Sequence, residues 1–253
     1  MILIKILEEL KTNNELPNLK CPICDIGFMK ENKTTRIEFT TKKSKERFDI
    51  LDEPTELVYE FSCEIVCNNN SCNEKAIVCG KTNVIEDGYD DGIDIETGEW
   101  LHSGFPTYKS KHKIEYISIP LNLISIPLTT DKEIIDVLEK SYKLFWTDIN
   151  SCGNRIRTCA ELILTKIGIP KLSNLDQRIK HLEKDTNNKY NSLSKQFMAI
   201  KHFGNTCTHE FQEVEKDDLI KSYKVLENCL KIIFEEIEDI ESLTNELIDK
   251  YKK

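Results

Sequence analysis

Long apolar runs are missing from this sequence. No stretch approaches the ~18 residues that a membrane-spanning helix needs. The N-terminal MILIKILEEL reaches two glutamates before a signal-peptide core can form. Glycine and proline are scarce, at 9 and 7 of 253 residues, which excludes a collagenous or low-complexity chain. A basic excess is also absent. The formal charge is −9, from 35 Lys and Arg against 44 Asp and Glu. The imbalance sits mainly in residues 1–128, with 15 basic against 22 acidic residues, whereas residues 129–253 carry 20 against 22. Neither half is a generic polyanion binder, because gathering phosphates takes a surplus of Lys and Arg. The resulting expectation is a cytoplasmic protein with no membrane partner.

What is present suffices for a folded core. The chain is 39% hydrophobic and 31% charged, unlike a disordered one, and its length suits two domains. Its character changes once. Residues 1–12 read as a short amphipathic helix through Ile2, Ile4, Ile6, Leu7 and Leu10. Residues 13–128 then read as β, with strands expected at 36–40, 56–66, 75–79 and 113–119 from their β-branched and aromatic alternation. The acidic EDGYDDGIDIETGE at 86–99 reads as a loop, either solvated or calcium-binding, although its spacing does not match an EF-hand. ISIPLNLISIP, with Pro120 and Pro127, reads as a connector. From Thr130 onward the apolar spacing is helical. Helices are expected from about 131 to 166, at 175–184, at 193–208 and from 217 to 252. The expectation is therefore an α+β protein, with a β domain at 1–128 and a four-helix domain at 129–253.

Ten cysteines in a chain with no export signal favour metal ligation over disulfides. CPIC places Cys21 and Cys24 on a tight turn, and CNNNSC places Cys67 and Cys72 on a second. Four thiolates can close a tetrahedron around one structural Zn²⁺. A hairpin of the strands at 36–40 and 56–66 is expected to bring the pairs together, in the manner of a zinc ribbon. Cys63 competes with Cys67 for the third position; Asn68–Asn70 supply the turn that favours Cys67. Cys79 reads as a small buried hydrophobe.

The third helix carries a two-faced stretch, FMAIKHFGNTCTHEF at 197–211. Leu193, Phe197, Ile200, Gly204 and Cys207 share one face; Lys201, His202, Asn205 and His209 gather on the other. A histidine can move protons at neutral pH, and a lysine can stabilise charge on a phosphoryl group. Taken alone, the stripe reads first as a solvated face. On the first long helix, Arg157 and Glu161 stand four residues apart, as in an ordinary helical ion pair.

NRIRTCAELIL at 154–164 and IKHFGNTCTH at 200–209 resemble the HEPN superfamily of four-helix nucleotide-binding domains. The closer likeness is to a branch of unknown function found in restriction-associated and phage-defence proteins, often with a cysteine-rich β segment in front. The resemblance implies a metal-independent ribonuclease or RNA-binding module, acting as a homodimer with pooled motifs. The catalytic candidates it implies are His209, Asn205, Lys201, His202, Arg157 and Glu161. Active members carry an arginine where this chain has Gly204; Lys201 or Arg157 is expected to supply that charge, and an arginine at 204 to raise activity. Dimerisation is expected through the last helix, where Ile237, Ile240, Leu247 and Tyr251 continue an apolar seam. The alternative is a non-catalytic interaction module that docks a partner protein or nucleic acid in a defence complex.

Overall fold

A computed structural model shows an α+β chain. It describes residues 16, 18–93, 97, 100–208, 214–235, 248, 250 and 251, with backbone alone for 90–93 and 100–105. The chain divides into two compact units, Met1–Leu123 with Tyr142–Ile149, and Ile124–Ser141 with Asn150–Lys253. The expected helix at 1–12 lies outside the described residues.

The first unit is built on one antiparallel six-stranded sheet in the order β1 (Leu19–Lys20), β2 (Phe28–Glu31), β4 (Val58–Cys67), β5 (Lys75–Ile93), β6 (Trp100–Ile117), with β3 (Ile37–Thr40) also paired to β4. β2 and β3 run along the same edge of β4: Met29 stands opposite Cys67, and Thr40 opposite Tyr59. A 3-10 turn at Lys33–Thr35 interrupts them, and Glu64 bridges the gap by accepting from Asn32 N–H and donating its own N–H to Thr35 Oγ1. Phe61, Cys63, Ile65 and Cys67 alternate inward along β4, as a half-buried strand requires.

Two expectations are corrected here. The acidic stretch 86–93 is strand, not loop: β5 continues to Ile93 and pairs with β6 through register shifts at Glu86/Gly88 and Asp90/Gly92. Bulges let the two acid-rich and glycine-containing arms stay paired while they bend, and Lys109 answers Asp87 across the ladder. The remainder of that stretch, 94–96 and 98–99, lies outside the described residues. Second, α1 (Lys42–Leu51) was not foreseen. Only Ser44 of its ten residues is buried, so it carries no apolar stripe to read; Thr41, whose side chain accepts from Ser44 N–H, starts it.

The second unit is helical, although Tyr142–Ile149, at the turn between the first two helices after the sheet, is assigned to the first unit. The long helix expected over 131–166 is two: α2 (Lys132–Leu144) and α3 (Ile149–Lys166). Between them Thr147 and Asp148 both donate to Leu144 C=O, turning the chain at a point where buried Phe145 packs edge-on against Trp146. The apolar spacing runs through the turn, so periodicity alone could not reveal it. α4 (Leu175–Lys184) falls where its spacing places it, capped by Asn174. α5 (Ser194–Thr206) and α6 (Lys216–Phe234) follow. α6 ends at Phe234, with Glu235 in extended conformation, instead of continuing to 252. Of the proposed dimer seam, Ile237, Ile240 and Leu247 lie outside the described residues, while Tyr251 is exposed. The helical part thus has five helices among the described residues where four were expected. A buried polar trio, Ser141 Oγ, Cys152 Sγ and Tyr223 Oη, joins α2, α3 and α6 at 2.7–3.1 Å. Among the described residues no helix is long and apolar enough to cross a membrane.

Candidate metal centre and helical polar seam

Two hairpin turns meet at one end of the sheet. The first joins β1 to β2 and carries Cys21 and Cys24; the second joins β4 to β5 and carries Cys67 and Cys72. The pairing that unites them is β2 with β4, which sets Met29 against Cys67, and not the β3–β4 hairpin expected from sequence. Both turns are built alike. Cys21 C=O accepts from Asp25 N–H and Asn69 C=O from Asn73 N–H, and Asp25 and Asn73, each following the second cysteine of its pair, take left-handed φ values of 51° and 49°. Asn and Asp tolerate that region better than other side-chain-bearing residues. Gly27 is required by proximity: a Cβ there would stand 2.6 Å from Cys67 Sγ and 2.9 Å from Asn69 Cβ.

The four sulfurs lie within 4.8 Å of one another, with Cys21 to Cys72 at 3.8 Å and Cys24 to Cys67 at 3.7 Å. A metal bound to four thiolates at ~2.3 Å in a tetrahedron has S···S edges of about 3.8 Å, so the cage is already of the size that an ion requires. Gly27 N–H points to Cys24 Sγ at 3.4 Å and Asn69 N–H to Cys67 Sγ at 3.5 Å, dipoles suited to stabilising thiolates. The backbone N–H groups of Gly27 and Ile26 pull the Cys24 thiol down to about 6, whereas burial pushes Cys67 up to about 12. Four thiolates this close would need a cation among them. Among the described residues this is the one group of three or more such side chains placed to hold a metal. Cys63 is not part of it: it lies four residues back along β4, roughly 13 Å away by strand rise, opposite Val78, and burial pushes its thiol up to about 11. Cys79 is only half-buried, with its thiol donating to Ser62 Oγ.

In the helical unit the stripe on α5 is only partly solvated. Lys201 Nζ is 2.6 Å from Asp176 Oδ1 of α4, and its side chain is only 12% exposed. Asp176 also pairs with Lys180 at 2.8 Å, and Lys180 and Lys201 together hold its carboxyl down at about 2. One turn on, Asn205 Oδ1 accepts from Arg157 Nη1 of α3 at 2.8 Å, and Arg157 Nε reaches Glu161 at 3.5 Å. The stripe is therefore a polar seam, with α4 bonded to one end and α3 to the next turn. His202 is exposed. His209 lies outside the described residues.

Gly204 has a packing reason. An added Cβ would stand 2.7 Å from Arg157 Cβ and 3.0 Å from its Cδ. The arginine stem lies across the bare glycine and delivers its guanidinium to the neighbouring asparagine. An arginine at position 204 would have to displace that stem, so Gly204→Arg would disturb the contact between α3 and α5. The HEPN resemblance suggested Arg157 as a charge donor, but sequence could not show that the glycine makes its path. A further polar cluster, of Arg36, Thr82 and His112, was not legible in the sequence because its members lie on three separate segments, before β3, on β5 and on β6.

Two family models match the chain. Residues 9–109 match a domain of unknown function (DUF8608), and residues 139–252 match another domain of unknown function (DUF4145). No curated protein and no solved structure matches.

Proposed function

We propose that the helical unit is a HEPN-like module that binds RNA and cleaves it without metal, and that the cysteine cluster holds a structural Zn²⁺. The observation that carries the first reading is the Arg157–Asn205 hydrogen bond of 2.8 Å across Gly204. It sets a guanidinium beside the Gly-Asn motif from a different helix, where the superfamily's active members use an arginine from the motif itself. Arg157 is 30% exposed on its side chain, so a phosphate can reach it. In this reading Arg157 holds the scissile phosphate, Asn205 orients it and His209 transfers the proton. Glu161 positions Arg157, while Lys201 with Asp176 keeps α4 against α5. Two chains pool their motifs in a homodimer formed through the C-terminal residues. The test is incubation of the full chain with tRNA and total RNA beside His209→Ala and Arg157→Ala. Loss of cleavage in both variants supports the ribonuclease. Binding that weakens in Arg157→Ala, with no cleavage in any sample, supports an RNA-binding module. Absence of both binding and cleavage removes the reading.

The second reading, a non-catalytic module docking a partner in a defence complex, is favoured by one observation. Lys201 and Arg157 already face Asp176 and Glu161, so the seam offers an incoming phosphate less positive charge than its cations suggest.

For the metal, Cys21, Cys24, Cys67 and Cys72 would be the ligands. A four-thiolate tetrahedron suits zinc, leaves no open position for substrate, and makes binding energy into folding energy. None of the ten cysteines is joined in a disulfide, which suits the reducing cytoplasm proposed for this chain.

A further inference from the structure

The sheet has a second face, turned away from Phe61, Cys63 and Ile65, and it carries an exposed apolar patch. Register sets Ile37 of β3, Ser62 of β4, Cys79 of β5 and Tyr116 of β6 in one row across it. Phe39 and Ile77 stand two residues along their strands from that row, on the same side. Ile37, Phe39, Ile77 and Tyr116 are 44–67% exposed. Four large apolar side chains on one face exceed the scattered singles of an ordinary surface. The charges beside them are matched among themselves. Lys81, opposite Glu60, lies 3.5 Å from Glu115, and Lys75 lies 3.1 Å from Glu64. The face therefore suits an apolar partner and not a polyanion.

The chain enters the sheet beside this patch. β1 and β4 both pair antiparallel with β2, so β1 runs parallel to β4 and two strands out from it. Residues before Leu19 approach from the Tyr59 end of β4, where β3 lies one strand out with its other edge unpaired among the described residues. Residues 1–12 themselves lie outside the described residues. Their sequence sets Leu3, Ile6, Leu7 and Leu10 on one helical stripe and Lys5, Glu8, Glu9 and Thr12 on the opposite side. Such a helix is about 18 Å long, and three strand spacings make the patch about 14 Å wide. The link from Thr12 to Leu19 reaches up to about 23 Å. The family match that covers the sheet starts at residue 9, inside this stripe. A segment tethered so closely acts at an effective concentration on the order of millimolar, which favours it over a free partner. We propose that residues 1–12 form an amphipathic helix that docks its Leu3, Ile6, Leu7 and Leu10 stripe on the Ile37, Phe39, Ile77 and Tyr116 face.

Thermal unfolding of the full chain, followed by circular dichroism, tests this. Leu7→Glu, Phe39→Glu and Ile77→Glu should each lower the midpoint by about 5 °C or more, since each sets a charge in an apolar contact. Leu7→Glu combined with Phe39→Glu should lower it no further than the larger single change, because both break one contact. Ile50→Glu, at an exposed position on α1 outside the patch, should leave it unchanged. Deleting residues 1–12 should raise the binding of a hydrophobic dye severalfold, and Phe39→Glu in the shortened chain should reverse that rise. Unchanged midpoints in Phe39→Glu and Ile77→Glu would show a face that nothing covers. Additive effects of Leu7→Glu and Phe39→Glu would put the segment elsewhere, and a coupling that fades on dilution would give the face to a second copy. Each of these three results overturns the proposal.

Discussion

Replacing Gly204 by alanine sets two effects of opposite sign against each other. On helix propensity alone the change stabilises an interior helical position by about 1 kcal/mol. The packing opposes it. The new methyl would stand 2.7 Å from Arg157 Cβ and 3.0 Å from its Cδ, about 1 Å inside the 3.5–4.0 Å at which carbon atoms attract. The Cβ of Arg157 cannot rotate away, so α3 and α5 must separate or the arginine stem must leave. Overpacking of this kind costs about 1–3 kcal/mol, and the displaced guanidinium also loses Asn205. Subtracting the propensity gain leaves about 0–2 kcal/mol, and the lost hydrogen bond adds about 1 kcal/mol, for a net loss of about 1–3 kcal/mol. For a chain of this size that lowers the midpoint by roughly 2–12 °C. Thermal unfolding followed by far-ultraviolet circular dichroism reads it directly. A Gly204→Ala protein that melts at or above the wild type would show that the two helices do not approach as described.

Other expectations follow from the same geometry. Cys67→Ser should lose the metal and unfold the sheet unit, while Cys63→Ser should keep about one zinc per chain; elemental analysis of both decides between the two thiols. Asp176, held at about 2 by Lys180 and Lys201, has a folded value below its unfolded one, so the unfolded chain binds more protons. Its contribution is present above about pH 4 and is lost as pH falls through 2. Asp176→Asn should therefore flatten the acid side of the stability curve, and an unchanged acid limb would argue against the ion-pair triad. Truncation after Glu236 should weaken self-association and leave the helices folded, since α6 already ends at Phe234; a full-length protein that scatters light as a monomer at tens of micromolar would remove the dimer.

The sequence by itself determined which residues could meet, through local rules. CPIC and CNNNSC declare two tight turns with paired thiols because their spacing admits few other uses. The α4 boundaries follow from Asn174 as a cap and from an apolar period that ends with the helix. The inward face of α5, from Leu193 to Cys207, follows from a 3.6-residue repeat. The tertiary structure decided what these elements meet. Whether Cys63 or Cys67 joins the cage depended on which register β2 takes along β4, and register is set by pairing across 38 positions, from Met29 to Cys67. The break between α2 and α3 was hidden because an apolar repeat can continue through a turn. α1 was hidden because a helix that buries one residue has no repeat to show. The Arg36 cluster was hidden because Thr82 and His112 come to it from strands 46 and 76 positions away. Gly204 is the sharpest case. In sequence it is a missing arginine; in the fold it is the space through which Arg157 reaches Asn205, because a side chain's meaning depends on what lies across from it.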